Sequence, residues 1–208
     1  MRAMFLVSGM CLLLCAGCGR GGSSGPAPSP QPQEAAASGL ATLKKLVTQE
    51  NYRAMGFQSA EEVQRAQLGN ALQVSIIGLD QLKSYRSDTD TNSLLQPSPE
   101  TIYPVTVDGH VRSSVTIAKA GDGYKTASFG NAPIVVALSR YRQAPDNFAV
   151  RIPALNMYYL ASRTDNRLML TPIIDDMRLK LQTGVAVPAQ EILRQLVPIA
   201  TAYNGLPM

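Results

Sequence analysis

The sequence predicts an α+β fold, an antiparallel β-sheet with N-terminal helices and a C-terminal helix packed on one of its faces. Three observations point there. Apolar residues recur at helical spacing near both ends of the chain, in 39–54 and again after Pro188. Between them lie short runs rich in Val, Ile, Thr and Tyr, punctuated by Gly, Asp and Asn. Two of these runs alternate around Asp108-Gly109, as strands do in a sheet with one covered face.

Leu40, Leu43, Leu46 and Val47 share one side of a helix over 39–54, with Lys44, Lys45, Thr48 and Gln49 opposite, and Gly56 stops it. Ser59 and Glu62 fit a capping box, which predicts a second helix running to Leu68 before Gly69. Leu72–Ile77 has the β-branched density of a buried strand, and Leu79, Leu82 and Tyr85 space a short helical turn after it. Residues 86–100 read as a polar loop with two prolines, Pro97 and Pro99.

The hairpin at 101–119 carries the clearest local pattern. A two-residue loop at 108–109 would pair 105 with 112 and leave neither face cleanly apolar. A three-residue loop at 107–109 pairs 105 with 111 and 103 with 113, and sends Tyr103, Val105, Val111, Val115 and Ile117 to one side. The three-residue loop is therefore expected, with Gly109 left-handed in a bulge. Gly121-Asp122-Gly123 turns the chain into a strand at Tyr124–Phe129. Pro133–Arg142 reads as a helix with Pro in its first turn. Phe148–Ile152, Leu155–Ser162 and Leu168–Ile173 read as three more strands, the last two joined by a turn at Thr164-Asp165-Asn166. Pro188 opens a final helix that buries Ile192, Leu193, Leu196 and Val197, and Pro198 should kink or divide it.

The totals permit one ordinary domain. Of 208 residues, 45% are hydrophobic and 16% charged, well inside the globular range. A folded part of roughly 170 residues buries about 70% of its unfolded surface and needs no metal or disulfide to hold together. The net charge of +4 comes without long basic runs, which argues against nucleic acid as a partner.

All three cysteines, Cys11, Cys15 and Cys18, lie in the leader. The domain therefore has no thiolate for a disulfide, a metal or a nucleophile. Arg2 precedes an apolar run from Met4 to Ala16, long enough for a secretory signal and short of the ~20 residues a spanning helix needs. Ala16, Gly17 and Cys18 then follow, with Cys15 at the position where Leu is commonest.

This stretch resembles the lipobox of bacterial lipoproteins. The resemblance implies cleavage after residue 17 and lipid on Cys18, with two or three acyl chains, enough for stable anchoring. Gly19 follows the cysteine rather than the Asp that marks inner-membrane retention, so the resemblance favours the outer membrane, facing the periplasm or the cell surface. Residues 18–37, rich in Gly and Ser and then in alternating Pro, read as a flexible tether, and 38–208 as one globular domain.

Candidate chemistry in that domain is sparse. His110 is the only histidine, expected exposed at the hairpin tip with Ser113 and Ser114 nearby, and no nucleophile elbow accompanies it. Asp88, Asp90 and Asn92 open like a calcium loop, but Ser93 stands where Gly is needed and Pro99 where a bidentate Glu is needed. Asp175 and Asp176 are the adjacent carboxylates a hydrolase would use. They serve equally as the N-cap of a helix over Met177–Lys180. With one histidine and no domain cysteine, no metal or cofactor is expected.

These observations favour a lipid-anchored, non-catalytic binding or assembly module of the cell envelope. Its partners would be the membrane, through the anchor, and an envelope protein. A carboxylate-dependent hydrolase of cell-wall or polysaccharide material is the alternative, with an inhibitor-like module as a third reading.

Overall fold

A computed structural model of the chain describes residues 31–205. The expected signal peptide, Cys18 and most of the expected tether lie outside the described residues. The described residues form four helices and a nine-stranded mixed sheet, an α+β fold.

The first helix, α1 (Pro32–Leu46), begins earlier than the hydrophobic period suggests. Pro32 occupies the first turn, where a missing N–H costs nothing, and the Glu34 carboxylate accepts the Gln31 N–H at 3.1 Å. Ala35 and Ala36 are buried, so residues 32–37 belong to the domain rather than to the tether. The helix also ends earlier than expected, and 47–56 follows as a series of turns closed by Gly56 at φ 95°. The expected second helix is only a single 3₁₀ turn at Glu62–Arg65, although Ser59 Oγ does accept the Glu62 N–H at 3.2 Å.

The strands are β1 (Gln67–Leu68), β2 (Leu72–Ile76), β3 (Gln96–Val107), β4 (His110–Ala120) and β5 (Gly123–Phe129), followed by β6 (Phe148–Ile152), β7 (Met157–Thr164), β8 (Arg167–Pro172) and β9 (Val187–Pro188). A short helix, α2 (Leu79–Ser84), follows β2. The supposed loop 86–100 instead contains a 3₁₀ turn at Thr91–Leu94, and β3 then starts at Gln96.

Strand order is β5-β4-β3-β2-β6-β7-β8-β9, with β1 alongside β3. Among the described strands only β2 and β6, at the centre, run parallel. From this pair two antiparallel meanders spread outward in opposite directions. A third helix, α3 (Ala132–Tyr141), carries the chain from the β5 edge back to the centre.

Strand alternation sorts the core into layers. Phe148, Val150 and Ile152 of β6, with Tyr159 and Ala161 of β7, pack against α2 and a fourth helix, α4 (Ala189–Ala202). Tyr103, Val105, Val115 and Ile117 pack against α1. Paired residues link these two clusters to the same face of the sheet. Ala149 and Leu160 point the other way and meet Val135 and Leu138 of α3, joined by Leu72, Val74 and Ile102. Of the described helices, three therefore cover one face and α3 lies on the back face. Pro198 sits inside α4 without dividing it.

The hairpin differs from the expected register. Val107 pairs with His110, so the loop has two residues, Asp108 at φ 50° and Gly109 at φ 80°. Both are left-handed, as a type I′ turn requires. Val105 pairs with Ser113 and Thr106 with Val111, which leaves Arg112 as an extra residue in β4. That bulge restores the alternation beyond it. Val115 and Ile117 do join Tyr103 and Val105, whereas Val111 turns to the back face and packs with α3.

No helix among the described residues is long and apolar enough to cross a membrane.

Candidate functional site

Asp175 and Asp176 lie in the 173–186 segment between β8 and β9, and no helix follows them. They are not a helix N-cap. The segment is irregular, and Asp176 instead closes a tight local turn. Its carboxylate accepts the Arg178 backbone N–H at 2.9 Å and the Arg178 Nε at 2.8 Å, and the two side chains form an ion pair. The hydrogen bonds from Arg178 hold the Asp176 carboxyl below the usual carboxylate range. A general acid needs the opposite shift. Asp175 accepts the Thr183 hydroxyl.

Both aspartates line a hollow of about 110 Å³ with Ile134, Tyr158, Tyr159 and Leu179. Burial drives the Tyr159 phenol well above its ordinary pKa. The other candidates stay apart. His110 is exposed at the hairpin tip, Ser113 is buried on the helical face, and Ser114 Oγ donates to the Gly130 carbonyl. Asp90 caps its own 3₁₀ turn by accepting the Asn92 N–H at 3.0 Å. No group of three or more His, Cys, Asp or Glu side chains among the described residues is arranged to hold a metal.

A second hollow adjoins the first. The two share Ile134 and Tyr158 in their walls. This one has a volume of about 200 Å³ and lies on the back face, beside the start of α3. Its origin is simple: one ten-residue helix cannot cover so wide a sheet. Leu72, Ala149 and Leu160 lie beneath α3, and the back-face positions beyond them stay open.

Apart from the buried Val74, these positions are polar, and the row crosses six neighbouring strands. Ser128 on β5 pairs with Thr116 on β4. Glu100 follows on β3, then Val74 on β2, then Arg151 on β6 with its register partner Tyr158 on β7. The Arg151 guanidinium stands over the Tyr158 ring, 5.4 Å from its centre. One of its terminal nitrogens is 3.9 Å from the Glu100 carboxylate, at the outer limit of an ion pair. Burial pushes the Tyr158 phenol up.

The side chains of Arg151, Glu100, Thr116, Ser128 and Tyr158 make no hydrogen bond to any described residue, and Arg151 Nε is buried without a partner. Arg151 and Glu100 remain 34% and 37% exposed, so solutes reach both. Polar side chains that converge without satisfying one another are the chemistry of a recognition site more than of a structural network.

The aspartates stood out in the sequence because they are adjacent. The Arg151 cluster did not, yet one signal was present. Phe-Ala-Val-Arg-Ile is an apolar strand with a single charge, and that charge lies on the same side as Ala149. Compared with protein-family models, curated proteins and solved structures, the chain gives no match.

Proposed function

We propose that this chain is a lipoprotein of the bacterial envelope, anchored through Cys18, whose domain works by binding and not by covalent turnover. The leader supports the location: a short apolar run, then Ala16-Gly17-Cys18, then a Gly-, Ser- and Pro-rich stretch. The tether sets the domain off the lipid surface, at the periplasmic face of the outer membrane or at the cell surface.

The back-face hollow supports the binding reading, because it gathers five polar side chains that share no hydrogen bond, held only by the long Arg151–Glu100 ion pair and the Arg151–Tyr158 ring contact. In the hydrolase alternative Asp176 does not suit the general-acid role, because its ion pair with Arg178 favours the charged carboxylate.

Thermal unfolding of the mature chain tests the reading. The low-molecular-mass fraction of a periplasmic extract should raise its Tm. A ligand at about 100 times its Kd adds about 2.7 kcal/mol, or roughly 5–10 °C for a domain of this size. Arg151→Ala should unfold normally without extract and lose the increase. An extract that leaves the wild-type Tm unchanged would contradict the proposal.

A further inference from the structure

The hollow carries charges of both signs. Arg151 and the start of α3 are the positive elements. Asn131 precedes that helix in a left-handed conformation with no side-chain cap, and Asn131, Ile134 and Val135 form the adjoining wall. Glu100 is the negative element, on β3 between them. A simple anion in this space meets Glu100, and a simple cation meets Arg151. A neutral molecule of the same size forgoes the charge-assisted bonds both groups offer, which are about twice as strong as neutral ones.

Size narrows the choice. About 200 Å³ falls below the range of pockets for drug-sized ligands and suits a small molecule. Arg151, the penultimate residue of β6, lies in the parallel β2–β6 pair at the middle of the sheet.

We infer that the hollow binds a small zwitterion of the α-amino-acid type, its carboxylate on the Arg151 guanidinium and its ammonium on Glu100. Thr116 and Ser128 then face the rest of the molecule with free hydroxyls, and Tyr158 holds the guanidinium plane in place from behind. The inference rests on the binding reading above and adds the ligand class to it.

Calorimetric titration of the full mature chain in detergent tests this, with L-alanine, D-alanine and glycine as zwitterions. N-acetyl-alanine lacks the ammonium, alanine amide lacks the carboxylate, and N-acetylglucosamine serves as a neutral comparison. At least one zwitterion should bind about tenfold or more tighter than every singly charged or neutral probe. Glu100→Gln should weaken that binding about tenfold and remove the discrimination against N-acetyl-alanine. Arg151→Lys should weaken it similarly despite retaining the charge, since the planar fork is lost.

Equal binding of alanine and N-acetyl-alanine would overturn the inference, as would unaltered affinity in Glu100→Gln. So would silence from all three zwitterions up to roughly 10 mM, an affinity too weak for recognition. If the extract raises the Tm while the zwitterions stay silent, the ligand class is wrong and the binding reading stands. If neither has an effect, both fail.

Discussion

Glu62 is a buried carboxylate, with its side chain 7% exposed, and it bonds Arg112 Nε at 2.8 Å. It also accepts the Gln58 N–H, so both of its oxygens are engaged. Removing one partner of such a pair strands the other charge in a poorly solvated place. Glu62→Ala should therefore cost about 3 kcal/mol in urea unfolding, and a loss under 1 kcal/mol would show the pair to be incidental. Arg65→Ala, which removes the exposed partner of Asp108 and leaves the left-handed turn residue in place, should leave the urea midpoint unchanged.

Asp176 gives a pH-dependent counterpart. Its folded pKa lies below its unfolded one, so its contribution is complete above about pH 4 and disappears as the pH falls through the folded value. Protection of the Leu179 amide, which bonds the Asp176 carbonyl, should fall on acidification in the wild type once the exchange rate is divided by the intrinsic rate at each pH. In Asp176→Asn that protection should be low at every pH.

Among the elements, the β3–β4 hairpin shows where local pattern stops being informative. Asp108-Gly109 announces the turn, and alternation correctly assigns Tyr103, Val105, Val115 and Ile117 to one face. The bulge at Arg112 is invisible to alternation because its partner, Glu62, comes from a remote segment. A charge that must reach Glu62 displaces the register by one residue, and Val111 turns over as a result. The early start of α1 has a similar cause. A Pro-rich stretch reads as a spacer until Ala35 and Ala36 find a sheet to cover.

Gly39 on α1 shows how close that approach is. A Cβ there would meet Val115 Cγ1 at 2.6 Å and Thr126 Oγ1 at 2.7 Å. Alanine is worth about 1 kcal/mol more than glycine inside a helix, yet Gly39→Ala should destabilise by about 1–3 kcal/mol through overpacking. A gain in urea midpoint would mean that α1 sits further from β4 than described.

For the whole molecule, the α+β class was legible because helical and strand periodicities occupy separate stretches of chain. The placing of α3 was not. Its period shows a helix with an apolar side. Only the return from the β5 edge to the central β6 puts that helix on the back face. The hollow is a consequence of that placement. Arg151 and Glu100 are far apart in sequence and meet only because β3, β2 and β6 are neighbours, so no spacing rule finds them.

The proposed tether and anchor rest on the leader's sequence alone. Labelled palmitate should enter the wild-type chain and be absent from Cys18→Ser. Label persisting in that variant would place the lipid elsewhere.

Hydrogen exchange on the mature wild-type chain, with and without the periplasmic small-molecule fraction, reports directly where the domain binds. A ligand in the back-face hollow should slow the amides at the start of α3, around Ile134 and Val135, and those of β6 near Arg151. Slowing confined to 173–186, or none anywhere, would contradict a site built on Arg151 and Glu100.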